Sequence, residues 1–283
     1  MTGIAPLPDR RPPLGGRLRG AILPVFTGLV VAYLFLPIVV MAVFGFNDIQ
    51  GRFNFAWQGF TLDHWANLFG RYPALNQALL NSLTVAVIST TAATVLGTLI
   101  GLALTRYDFR GRGPLNLLIF LPIATPEIVL GASLLALFVS VATPLGLPTV
   151  TIAHIMFNIS FVVVTVRARI AGFDRALEEA AMDLGADEWA TFRKVTFPLI
   201  FPGILAAALL AFALSIDDFV ITQFTSGQTL TFPLWVYGAS RIGVPPQVNV
   251  MGTLIFLIAL VGIVLWIFLQ RRDLTATPTR IDR

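Results

Sequence analysis

Long apolar blocks alternate with short polar ones along this chain. Six blocks approach or exceed the roughly 20 residues that a helix needs to cross a hydrocarbon layer. They cover residues 21–46, 77–105, 115–141, 149–166, 199–222 and 248–269. The expected fold class is therefore an all-α integral membrane protein with six transmembrane helices. A six-span domain over 21–270 lies between a short N-terminal tail, 1–20, and a short C-terminal tail, 271–283.

Composition agrees with the pattern. The chain is 56% apolar and 12% charged, about half the charge of a soluble domain, with a mean hydropathy of +0.82. The absence of cysteine excludes disulfides, thiol catalysis and cysteine-held metals. His64 and His154 are far apart, and no carboxylates group with them as a metal site. A pI near 10.1 raises the question of nucleic acid. The basic residues flank apolar blocks, however, which is the distribution that membrane topology requires. The first block follows several arginines, but it is too long for a signal-peptide core and lacks a small-x-small cleavage site, so it reads as an uncleaved span. Arg10 and Arg11 read as ordinary cytoplasmic charge.

The same residues orient the chain. Of nineteen basic residues, sixteen fall on one side: Arg10, Arg11, Arg17 and Arg19; Arg106, Arg110 and Arg112; Arg167, Arg169, Arg175, Arg193 and Lys194; and Arg271, Arg272, Arg280 and Arg283. Only Arg52, Arg71 and Arg241 fall on the other. That asymmetry places both termini in the cytoplasm and supports an even number of spans.

The most charged segment, 174–198, is then the cytoplasmic connection between spans four and five. Asp174 suits the cap of a short helix, with Glu178 and Glu179 near its positive end. Gly185 suits a left-handed exit. Asp187 suits the cap of a second helix running to about Thr196, with Arg193 and Lys194 in its last turn and Pro198 stopping it before span five. Ala180 and Ala181 let another surface approach the backbone. A helix–glycine–helix element held between two spans fits docking to a cytoplasmic partner; a merely soluble capped loop is the plainer reading of the same residues.

The segment reads Glu179-Ala180-Ala181, three residues, Gly185, nine residues, then Val195-Thr196-Phe197-Pro198. This resembles the EAA motif of permease subunits in bacterial binding-protein-dependent ABC importers, with Val195 in place of the usual Ile and Phe197 in place of the usual Leu. "LSIDDFVITQFTSG", "RIGVPPQVN" and "PIATPEIVLGASLL" resemble the polyamine (spermidine/putrescine) branch, in the subunit usually encoded second of two permeases. Branches for ferric iron, thiamine, sulfate and phosphonates share parts of these stretches. The resemblance implies a type I ABC importer permease fold in the bacterial inner membrane. It also implies that Glu179, Ala180, Ala181, Gly185 and Pro198 form a coupling helix seated on an ATP-hydrolysing subunit. The implied partners are an ATP-binding subunit dimer, a second permease and an extracytoplasmic solute-binding protein.

This chain does not hydrolyse ATP itself on this reading. A P-loop needs a Gly-Lys-Ser/Thr ending, and the lone lysine, Lys194, stands between Arg193 and Val195. ATP and Mg are expected on the partner, with no cofactor in this chain. Three acids interrupt the spans and are candidates for the translocation path, since charge in a bilayer is costly. Glu127 stands roughly 18 Å along span three, near mid-membrane, and Asp217 and Asp218 roughly 27 Å along span five, near its outer end. Unpaired acids facing water would favour a cation. The plainer readings are that Asp218 caps a helix break and that Glu127 satisfies backbone freed by Pro126. An intramembrane aspartyl protease needs aspartates on facing helices, which neighbours on one helix cannot supply.

Gly97-x-x-x-Gly101 is a small-residue packing face. His154 reads as a hydrogen-bonded core residue. The outer loops 47–76 and 223–249 carry aromatics, where the family places contacts with the solute-binding protein. An ATPase-independent carrier is the other class of function; an ion-gradient carrier often has inverted repeats and broken helices, of which this sequence shows no comparable pairing between its halves, and the charged connection would be left unexplained.

Overall fold

The computed structural model describes residues 14–51 and 53–275, with side chains from Ile22 to Val264 except Arg52 and Ile263. The tails 1–20 and 271–283 lie largely outside the described residues. Twelve α-helices run α1 Leu14–Phe44, α2 Asp63–Ala66, α3 Pro73–Arg106, α4 Arg112–Ala124, α5 Glu127–Ser140, α6 Leu147–Ala171, α7 Ala176–Asp183, α8 Glu188–Thr191, α9 Phe197–Asp217, α10 Val220–Thr225, α11 Phe232–Ser240 and α12 Pro246–Thr275. They form two compact units, Phe69–Arg241 and the remainder. Among the described residues four helical stretches are long and apolar enough to span a membrane, and α4 with α5 supplies a fifth. The sixth expected span falls on α12, whose described apolar part is Pro246–Gly262.

The larger unit is built on α6. Gly97 of α3 faces Val162 and Gly101 faces Val166, so α3 and α6 advance side by side in the same direction. A Cβ added at Gly97 would lie 2.6 Å from Val162 Cγ1, which is why only glycine permits this approach. From α9, Ile200, Ala207 and Ala211 join Ala93, Val162 and Val166 in one buried cluster. In the smaller unit α1 packs on α12, with Phe35 edge-on to Phe256, and Met41 lies against Gly252. His64 there is buried; Gln247 Nε2 donates to its Nδ1 at 3.2 Å, so its Nε2–H donates to the Asn47 carbonyl at 3.1 Å.

Three sequence expectations change. Span three is not one straight helix: α4 and α5 meet at 111°. Pro126 drives this, because the residue before a proline is pushed out of the helical region, and Thr125 is extended at φ −87°, ψ 132°. The depth estimated for Glu127 assumed a continuous rise and no longer applies. Span five ends at Asp217, breaks at Asp218–Phe219 and resumes as α10. Pro198, expected to stop the preceding helix, does not. Glu188–Asp217 is one 30-residue helix that passes through a π-helical segment, Phe192–Thr196. The Phe197 N–H reaches back five residues to the Phe192 carbonyl. This wider turn lies just ahead of a ring that cannot donate a hydrogen bond, and it lets the helix continue.

Candidate functional site

The charged connection folds from its own side chains. Asp174 Oδ1 accepts from Ala176 N at 3.0 Å and starts α7. Gly185 sits at φ +88°; its N–H reaches the Met182 carbonyl at 2.9 Å, while Ala186 N reaches Ala181 O at 3.1 Å. A side chain at Gly185 would meet nothing within 4 Å, so the glycine is required by backbone conformation and not by space. Asp187 caps α8, accepting from Ala190 N at 2.6 Å.

Glu179 and Ala180 are exposed, Ala181 is half-buried, and Pro198 opens α9. Around them stand exposed apolar side chains that the sequence reading did not single out: Leu177, Met182, Leu184 at 90% exposure and Trp189 at 68%. Four exposed large apolar side chains within thirteen residues are unusual for a water-facing loop.

Glu178, one residue from the motif, has a different task. Its carboxylate lies 2.5 Å from Arg106 Nη2 at the end of α3 and accepts the hydroxyl of Thr196, which is fully buried in the π-helical segment. Arg175 Nη2 adds a bond to the Thr105 carbonyl at 3.4 Å. Thus α7 is tied to the ends of two long helices. The sequence places Glu179 in the motif but does not tell which carboxylate turns inward; the helix rotation decides that.

The acids in the spans divide likewise. Asp217 and Glu127 are exposed, whereas the Asp218 side chain is 6% exposed. Asp218 Oδ2 accepts from Thr222 N at 2.8 Å and from Thr222 Oγ1 at 2.7 Å, and lies 3.3 Å from His154 Nε2. It caps α10 across the break, as the plainer sequence reading had it. The structure brings the start of α5 and the break after α9 together: Ile128, beside Glu127, and Phe219, two residues past Asp217, line one cavity of about 570 Å³ with Gln223, Phe224 and Tyr237. His154 is hydrogen-bonded in the core as expected. Asn158, one turn further along α6, is fully buried, and its amide finds no partner among the described residues.

Apolar spans, a broken helix pair and a tethered helix–glycine–helix surface define a multi-pass membrane transport subunit. Residues 93–272 match the model of the family described as "Binding-protein-dependent transport system inner membrane component". The chain is 40% identical over 252 residues to the spermidine/putrescine transport system permease protein PotC of Escherichia coli K12, covering 89% of this chain and 93% of that protein. It is 36% identical over 250 residues to the putrescine transport system permease protein PotI of the same strain, covering 85% and 88%. A chain of a bacterial ABC transporter that imports the acidic polysaccharide alginate shares the fold, with a TM-score of 0.62 at 17% identity over 94% of this chain and 99% of that one. The chain belongs to the family of binding-protein-dependent transport system inner membrane components and has the permease fold of ABC importers.

Proposed function

We propose that this chain passes a small cation of the polyamine class, spermidine or putrescine, across the inner membrane as the permease of an ATP-driven importer. The observation that carries the cation reading is the pair of exposed carboxylates, Glu127 and Asp217, set at two helix breaks whose residues Ile128 and Phe219 line one aromatic-edged cavity. Carboxylates attract ammonium groups, and aromatic faces accept them and their methylene chains. Similarity to spermidine/putrescine and putrescine permeases supports the same solute class.

The remaining parts follow from the motif and the charge pattern. Both termini lie in the cytoplasm, as the basic residues favour. The exposed face of α7 and α8 docks on a partner ATPase dimer, which binds ATP and Mg, because this chain has no P-loop. A second permease completes the path, and an extracytoplasmic solute-binding protein delivers the solute. Closure of the ATPases moves α7. Glu178 passes the motion to α3 through Arg106 and to the α9 helix through Thr196, so two spans shift together.

Two experiments test this. Cells expressing the whole transporter should take up labelled putrescine and spermidine, each competed by the other but not by ferric iron, thiamine, phosphonate or sulfate. Uptake of one of those instead, with no polyamine uptake, sinks the polyamine reading. Separately, Glu178→Gln weakens two bonds to a half-shielded carboxylate, an effect of about 1–2 kcal/mol after allowance for solvent. Uptake should fall several-fold while the ATPase still co-purifies. Arg106→Gln should also lower uptake, and the double variant should be no worse than Glu178→Gln alone. Additive losses would mean that the tether does not transmit the motion.

A further inference from the structure

We propose that His154 is a positioning residue for the transport path, holding the break in α9 at Asp218–Phe219 and, with it, the outward carboxylate of Asp217. The proposal rests on the reading above that Asp217 borders the path.

The supporting geometry is a buried hydrogen-bond chain across four helices. Ser89 Oγ of α3 lies 3.0 Å from Ser215 Oγ of α9, and Ser215 Oγ lies 2.7 Å from His154 Nδ1 of α6. His154 Nε2 lies 2.9 Å from Thr222 Oγ1 of α10, which in turn donates to Asp218. Ser89, His154, Ser215 and Thr222 are all buried. The protons can be followed by valence. The single hydroxyl proton of Thr222 goes to the Asp218 carboxylate, so His154 Nε2 carries a proton and donates to Thr222 or Asp218. At Nδ1, a neutral ring accepts from Ser215, which then accepts from Ser89. A charged ring donates to Ser215, which donates to Ser89, which can pass its own proton to the Ala86 carbonyl at 3.4 Å. The imidazole is satisfied in either state, so it serves as a fixed spacer between α3, α9 and α10.

The spacer has a directional consequence. A helix break frees carbonyls at the end of α9 and N–H groups at the start of α10, which then need partners. Asp218 takes the Thr222 N–H only while its carboxylate stays buried on the His154 side. Neighbouring residues on a helix point about 100° apart, so turning Asp218 inward turns Asp217 outward. The chain also seats α10. Ile221 is fully buried, and Phe224 presses on Gly131 of α5 so closely that a Cβ there would lie 2.6 Å from the ring. Helix α5 begins at Glu127. Asp217 thus stands at the end of α9, which joins the His154 chain, and Glu127 at the start of α5, which packs on α10. A one-residue slip of the break would turn Asp217 and Asp218 together by about 100°, so that neither kept its present face.

The chain has no cysteine, so Asp217→Cys adds one thiol at the position in question. In membranes holding the complete transporter, its labelling rate with a membrane-impermeant maleimide is compared with His154 intact, His154→Gln and His154→Leu. Putrescine uptake is measured in the same His154 variants with Asp217 restored. His154→Leu should change the labelling rate by at least about threefold and raise the KM for uptake, since losing these bonds shifts a local equilibrium roughly 2- to 10-fold or more. His154→Gln, which keeps a donor and an acceptor, should return both to within about twofold. Wild-type labelling and KM in His154→Leu overturn the proposal. If His154→Leu does not accumulate in the membrane, Ser215→Ala decides: it cuts the Nδ1 contact by removing one oxygen, and labelling unchanged within about twofold counts against positioning. Labelling that shifts while Asp217→Asn leaves uptake intact sinks the path role of Asp217 and the transport part of this proposal. Labelling that stays fixed while Asp217→Asn stops uptake sinks the role of His154 alone.

Discussion

Gly185→Val should strip the partner ATPase from this permease, while Gly185→Asn should keep most of it. Gly185 sits at φ +88° with open space beyond it. A β-branched residue is disfavoured there by roughly 1–2 kcal/mol or more, whereas asparagine tolerates the left-handed region. Helix α7 has eight residues and none is buried, so little packing opposes its unwinding. Once the turn fails, exposed Leu184 and Trp189 lose their fixed relative placement. With the chain tagged and extracted in mild detergent, recovery of a P-loop ATPase should fall at least about fivefold in the valine variant and less than about twofold in the asparagine variant. Equal recovery from both would show that the left-handed turn is not what the ATPase reads. Recovery of the permease alone even from the parent chain would point to a carrier that works without an ATPase.

Replacing both path acids should nearly abolish polyamine uptake. Asp217→Asn and Glu127→Gln keep size and hydrogen bonding but remove the charge. Each acid is exposed, so membrane abundance should hold. A carboxylate–ammonium contact in a partly dry path contributes about 1–3 kcal/mol, so each single variant should lose roughly 5- to 100-fold in uptake efficiency and the pair more. Asp218→Asn differs in kind. It weakens a buried cap, and its losses should come with reduced abundance. Unimpaired uptake in Asp217→Asn/Glu127→Gln would rule out both residues as path acids.

The spans were legible because a bilayer imposes one demand, length without charge, that can be read residue by residue. The same holds for Gly185, whose place after a capped helix announces a left-handed turn, and for Gly97 and Gly101, whose spacing announces close packing. The bend at Thr125–Pro126 and the smooth passage of Pro198 into α9 were not legible, although both are prolines in apolar stretches. Pro126 breaks its helix by 111° and Pro198 does not, because a π turn precedes Pro198 and absorbs its missing donor. Whether such a turn forms depends on what surrounds it, here the buried Thr196 hydroxyl donated to Glu178.

The candidate site shows the same division. By itself the sequence determined a multi-span helical membrane chain with a capped helix–glycine–helix connection over 174–198 and three acids where charge is costly, since hydropathy, helix caps and a spaced motif are local properties. Only the tertiary structure decided which member of each acidic pair does what. Glu178 is inward and tethered while Glu179 is outward; Asp218 is buried against His154 while Asp217 is exposed. Adjacent residues differ by a 100° rotation, and the face that becomes interior is set by helices tens of residues away: Arg106 on α3 for the first pair, His154 on α6 for the second.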